Sequence, residues 1–130
     1  MTARARRRPL SVEEHGRYDH IGSGLLERVR LVRVPILPRA VDGLTLGRWV
    51  LLRGDRIERQ ASSLIAHELV HVRQFAEMGV IGFLSRYLTE YVSGLIRYRS
   101  HRAAYENISF EIEARREAEH WRVTNEGDRA

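Results

Sequence analysis

Two histidines and a glutamate stand in the order His67-Glu68-Leu69-Val70-His71. Four residues make about one helical turn, so on a helix both imidazoles share a face and can bind a single cation. Glu68 lies about 100° further round the axis. That places it beside such a cation and not on it, where its carboxylate can take a proton from an activated water. The chemistry predicted is metal-assisted hydrolysis. A bound Zn2+ would lower the pKa of a water and polarise a scissile carbonyl. Glu68 would act as general base and hand the proton to the leaving amine. The competing reading is a pair of core histidines satisfied by hydrogen bonds.

A catalytic zinc normally takes three protein ligands and keeps one position for water. The chain has no cysteine, so the set must be nitrogen and oxygen. His101 and His120 are isolated in sequence, and His15 and His20 lie in the N-terminal region. The acidic candidates are Glu111 and Glu113 in Phe110-Glu111-Ile112-Glu113-Ala114. Glu111, Ala114, Ala118 and Trp121 form one stripe at helical spacing, with small residues that allow close approach of another helix. Glu113 falls with Glu117 and His120 on a more polar stripe. Glu111 is therefore the favoured third ligand and Glu113 the runner-up, since Glu113 and Glu117 are also spaced so that one could bind metal while the other orients a histidine. A phenol could stabilise the oxyanion. Tyr105 is the catalytic candidate, with Tyr91 and Tyr98 as others, and all three suit core packing as well.

The elements that must carry these residues follow from pattern. Ser62 or Ser63 can cap a helix that runs to about Met78 and stops at Gly79. At about 100° per residue, Leu64, His67, His71, Gln74, Phe75 and Met78 share one side, and Ile65, Leu69, Val72 and Ala76 nearly the opposite one. Ala66, Arg73 and Glu77 are left for water, so the helix should be central. Before it, Leu44-Thr45-Leu46 and Trp49-Val50-Leu51-Leu52, bounded by Asp42-Gly43, Gly47 and Gly54, predict a hairpin whose edge could receive an extended peptide. A short helix is predicted from Ser11 to about Tyr18, with Ser11 and Glu14 as a capping box. Between residues 25 and 37 helix and strand are both open, until Pro35 and Pro38. Further helices are predicted from Phe83 to about Arg99, with Leu84, Leu88, Tyr91, Leu95 and Tyr98 recurring at helical spacing, and from about Phe110 to Trp121.

The whole is an α+β chain, mainly helical with a small hairpin or sheet before the histidine helix. A length of 130 residues allows one domain with one modest core. The division is a basic disordered tail at residues 1–9 and a single domain at 10–125. Of the formal charge of +5, four units come from Arg4, Arg6, Arg7 and Arg8. With the remainder near neutral and no recognition motif evident, a nucleic-acid binder is disfavoured. No apolar run reaches the roughly 18 residues of a membrane span. The basic N-terminus lacks the apolar segment of a signal peptide. The expected location is cytoplasmic, although export without such a signal would leave no trace.

The segment Leu64-Ile65-Ala66-His67-Glu68-Leu69-Val70-His71-Val72-Arg73-Gln74 resembles the AHEL-x-HV-x-Q core of small bacterial zincin-like domains, the DUF4157 or minigluzincin-like group. Tyr105-Glu106-Asn107-Ile108-Ser109-Phe110-Glu111-Ile112-Glu113-Ala114 resembles that group's Y-x-N-x-P-x-E-x-E-A segment, with Ser109 where proline is usual and Arg115 where many members carry aspartate. The resemblance covers about residues 40–120. It implies a gluzincin-type metallopeptidase fold, with His67, His71 and Glu111 as zinc ligands and Glu68 as base. The function it implies is peptide-bond hydrolysis on a protein or peptide substrate. The alternative is a zinc-containing structural or interaction module without turnover. Oligomeric state is not legible in the chain.

Overall fold

The computed structural model describes residues 7–37, 41–54 and 62–127, with side chains as far as 125. β1 (Arg7–Pro9) pairs antiparallel with β2 (Arg30–Val34). Residues 7–9, assigned above to the disordered tail, are therefore a strand, and residues 1–6 lie outside the described residues. The local reason is an ion pair that composition does not reveal. Arg8 clamps the fully buried carboxylate of Glu14 at 2.5 and 3.0 Å. Glu14 sits in the predicted capping box of α1 (Val12–Arg17), accepting from the Ser11 N–H at 2.8 Å. A cap and a strand are thus fixed by one carboxylate.

The open stretch resolves into both alternatives: α2 (Ser23–Arg28) and then β2. The predicted hairpin is present as β3 (Gly43–Leu46) and β4 (Trp49–Arg53), antiparallel across a two-residue turn in which Gly47 takes φ +65°. Such a turn favours glycine because positive φ is strained for other residues. β2 and β4 pair parallel, giving a four-stranded sheet in the order β1-β2-β4-β3. Alternation along each strand points Leu31, Val50, Leu52 and Thr45 inward, where all are buried. Arg30, Val32, Trp49, Leu51, Leu44 and Leu46 fall on the other face, none of them buried.

α3 (Ser63–Met78) lies across the inner face of the sheet. Ser62 caps it, its hydroxyl accepting from the Ile65 N–H at 3.4 Å, and Gly79 at φ +76° ends it. Ile65, Ala66, Leu69 and Val70 are wholly buried. Ala66 was expected to face water; it packs in the core, while Ala76, Glu77 and Met78 at the far end of the helix are exposed. The N-terminal segment covers that side of the first turns, where His20 Nε2 lies 3.1 Å from the Ala66 carbonyl and the Tyr18 hydroxyl accepts from the Ser62 N–H.

α4 (Val80–Tyr98) begins directly after Gly79, three residues earlier than predicted. Its covered face is Phe83 and Gly94, flanked by half-buried Tyr87 and Tyr91, whereas Leu84, Leu88 and Tyr98 of the predicted stripe are exposed. Period alone cannot choose between neighbouring apolar stripes. Here aromatic packing chooses, because Phe83 stacks on Phe75 and Phe110 at centroid distances of 3.9 and 4.5 Å. α5 (His101–Glu106) was not anticipated. It crosses α4 so closely that a Cβ on Gly94 would lie 2.9 Å from the Ala104 Cα.

α6 (Ser109–Gly127) packs along α3 through Ala114, Ala118 and Trp121, the small-residue stripe read from sequence. The Trp121 indole donates to the Arg17 carbonyl at 2.7 Å and stacks on Tyr18, tying the N-terminal segment to the last helix. The fold is thus α+β, mainly helical, with a small four-stranded sheet. No helix among the described residues is long and apolar enough to cross a membrane.

Candidate metal centre

α3 presents His67, Glu68 and His71 together, with one ligand atom from each lying within 4.8 Å of the others. α6 adds a carboxylate. Glu111 Oε1 stands 3.1 Å from His67 Nε2 and 3.3 Å from His71 Nε2, and Oε2 lies 3.2 Å from the latter. Two corners of a tetrahedral zinc shell with bonds of about 2.0–2.1 Å stand roughly 3.3 Å apart. Each histidine nitrogen therefore stands from a Glu111 oxygen at about the separation that two ligands of such an ion have, and the donor types suit it.

Glu113, the runner-up, does not approach the histidines. Its Oε1 accepts from the Arg73 guanidinium and from the Gln74 amide, each at 2.8 Å. Arg73 is also held by Glu117 at 2.7 and 2.5 Å. With α6 facing α3 through Ala114 and Ala118, Glu111 points inward and Glu113 to the rim. Arg115 turns away and donates to the Glu106 carbonyl.

The orientation of His71 comes from Gln74, one turn further along α3, a role that sequence reasoning missed. The Gln74 amide nitrogen donates to the Phe110 carbonyl at 3.1 Å and to Glu113 at 2.8 Å. With both amide hydrogens engaged, its oxygen is left to accept at 2.8 Å from His71 Nδ1. A proton is thereby placed on Nδ1, which leaves Nε2, the nitrogen that faces Glu111, as the one that would bind a metal. The i, i+3 spacing of His71 and Gln74 was the available signal.

Two phenols hold Glu111. Tyr105 donates to Oε1 at 3.0 Å and Tyr87 to Oε2 at 2.7 Å. Tyr105 was expected at the site; Tyr87 was not considered. Tyr91 instead bonds His101, and Tyr98 lies out on the surface beside Arg97. Burial and the neighbouring Glu111 charge push both Tyr87 and Tyr105 above the ordinary phenol range, so they remain protonated donors. Burial works against the Glu111 carboxylate, but hydrogen bonds from His67, His71 and Tyr87 outweigh it and keep the group ionised. For His71, burial lowers the pKa, and the Glu111 hydrogen bond and charge reverse this and leave it raised.

Glu68 is buried on the sheet side of α3. The Thr45 hydroxyl lies 2.9 Å from its Oε1 and 3.0 Å from its backbone carbonyl, and its single hydrogen can serve one at a time. Burial pushes the Glu68 pKa up, against the pull of His71, His67 and Thr45. Gly43 makes room for this side chain, since a Cβ there would meet Glu68 Cγ at 3.2 Å.

Comparison with family models, curated proteins and solved structures found no match for the chain.

Proposed function

We propose that the chain is a zinc-dependent metallopeptidase domain of the zincin-like class, acting on a protein or peptide. The observation that carries this reading is the approach of Glu111 to both His67 and His71 at 3.1 to 3.3 Å, with Glu68 beside the two histidines on α3. His67, His71 and Glu111 would hold the ion, which when bound supplies Lewis acidity to a water and a carbonyl.

The chain's own groups do the rest. Glu68 takes the water proton and delivers it to the leaving amine; a carboxyl raised by burial suits a group that must both accept and release a proton. Thr45 fixes its orientation. Tyr87 holds Glu111, and Tyr105, the more exposed of the two phenols, exchanges its Glu111 contact for a hydrogen bond to the oxygen on which charge develops. β3 is an edge of the sheet and carries Thr45 next to Glu68. A peptide added as a further strand along β3 would pass the base.

The test has two parts. Protein reconstituted with zinc should hold close to one ion per chain, and failure to do so sinks the metal reading. Wild type and Glu68→Gln are then compared on a broad peptide library. Cleavage lost in the variant with zinc retained supports catalysis, while equal inactivity of both leaves a zinc-holding module.

A further inference from the structure

The outer face of the sheet holds a second concentration of chemistry, apart from the histidine helix. Register explains how it forms. Pro9 pairs with Arg30 and Arg30 with Trp49, so these three lie in one row across β1, β2 and β4. Arg7 is two residues from Pro9 and shares its face. Arg48, in the hairpin turn, comes up beside them. Together with Arg8 they line a recess of about 390 Å³. Among the described residues its lining has four guanidinium groups, one indole and no carboxylate.

The charges there are not equivalent. Arg8 is matched by the buried Glu14. Arg30 is held by backbone carbonyls, donating to Glu27 and Val29 at 3.0 and 2.8 Å, which fixes the guanidinium without cancelling its charge. Arg48 is held over the Trp49 ring at 5.0 Å, which again positions a cation and leaves it charged. Like charges brought together around one concavity repel, and an anion relieves that repulsion. Planar guanidinium forks match the oxygens of a phosphate group bidentately, and preorganised forks lose less entropy on binding it.

We propose that this recess is a binding site for a phosphate-bearing ligand, with Arg7, Arg30 and Arg48 as the phosphate contacts and Trp49 as its wall. Three cations that face no acid among the described residues fit a multiply charged phosphate better than a single carboxylate. The recess is also larger than one phosphate ion needs, so the ligand extends beyond that group, as a diphosphate or a lipid headgroup does. The site is independent of the metal reading and stands if that reading fails.

The full-length chain is titrated with pyrophosphate by calorimetry at low salt and, separately, sedimented with vesicles of phosphatidylcholine containing phosphatidylglycerol. Binding to pyrophosphate supports a soluble phosphate ligand; capture by the vesicles alone supports a headgroup. In either arm, Arg7→Gln combined with Arg48→Gln should weaken binding by about tenfold or more. A variant of equal net charge, Arg86→Gln with Arg102→Gln, should bind as wild type does. Arg30→Gln gives a second reading at the centre of the row, with folding checked by circular dichroism. Absence of binding in both arms overturns the proposal. So does equal loss in the charge-matched variant, or a polyglutamate peptide bound as tightly as pyrophosphate.

Discussion

His67 Nε2 and Glu111 Oε1 stand 3.1 Å apart although 44 residues separate them in the chain. The contact exists because α6 lies against α3 through Ala114 and Ala118, both too small to hold the helices apart. About 100° round α6 from that seam, Glu113 is caught by Arg73 and Gln74. The two carboxylates therefore differ in role although one residue lies between them.

Exchanging them should separate the roles. Glu111→Gln should weaken zinc binding by at least about a hundredfold, and Glu113→Gln by about tenfold or less, acting only through Gln74. Competition with a chromogenic chelator measures both. A larger loss in the Glu113 variant would reverse the assignment.

Gln74 acts on the proposed metal centre only through His71, yet its removal should be felt there. Gln74→Met keeps the volume and leaves His71 Nδ1 without its acceptor. Zinc affinity should fall by about 10- to 100-fold. Stability should fall by about 1–3 kcal/mol, because the Phe110 carbonyl also loses its donor. Unchanged zinc affinity with lowered stability would restrict Gln74 to a structural role.

Gly43→Ala tests the room left for the base. The added methyl would press on Glu68 Cγ at 3.2 Å and on Leu52 and Leu64 at 3.3 Å. Zinc content should stay at wild-type level while kcat on a cleaved peptide drops about tenfold, the scale of a displaced proton acceptor. Loss of zinc together with activity would show that the substitution disturbs the whole helix.

The Arg73 hydrogen bonds and charge hold the Glu117 carboxyl below its ordinary value of 4.5. A depressed carboxylate stabilises the fold above its unfolded pKa, and that contribution is lost as pH falls through the lower folded value. Wild-type Tm should therefore decline below about pH 4.5 more steeply than that of Glu117→Gln. The difference is on the order of 1 kcal/mol, because the pair is partly solvated. Parallel Tm profiles for the two proteins would remove this pair from the acid response.

Local chemistry was readable from the chain alone. The capping box at Ser11 and Glu14, a cap at Ser62 or Ser63, the stop at Gly79 and the hairpin around Gly47 follow from residues within a turn or two of each other. So does the shared helical face of His67 and His71, which the pitch of a helix settles. Even the packing stripe of α6 was visible, as alanines and a tryptophan at regular spacing, though not the helix it meets.

Tertiary structure decided the rest. It added Tyr87 from α4 and Thr45 from β3 to the site, turned Gln74 onto His71, and drew Arg7, Arg30 and Arg48 to one recess through strand register. It also uncovered Leu84 and Leu88 in favour of an aromatic stripe. Each of these depends on how far one element is rotated or slid against another, which is set by packing among distant side chains. Residue spacing within an element fixes which side chains share a face, but only contact between elements fixes what that face meets.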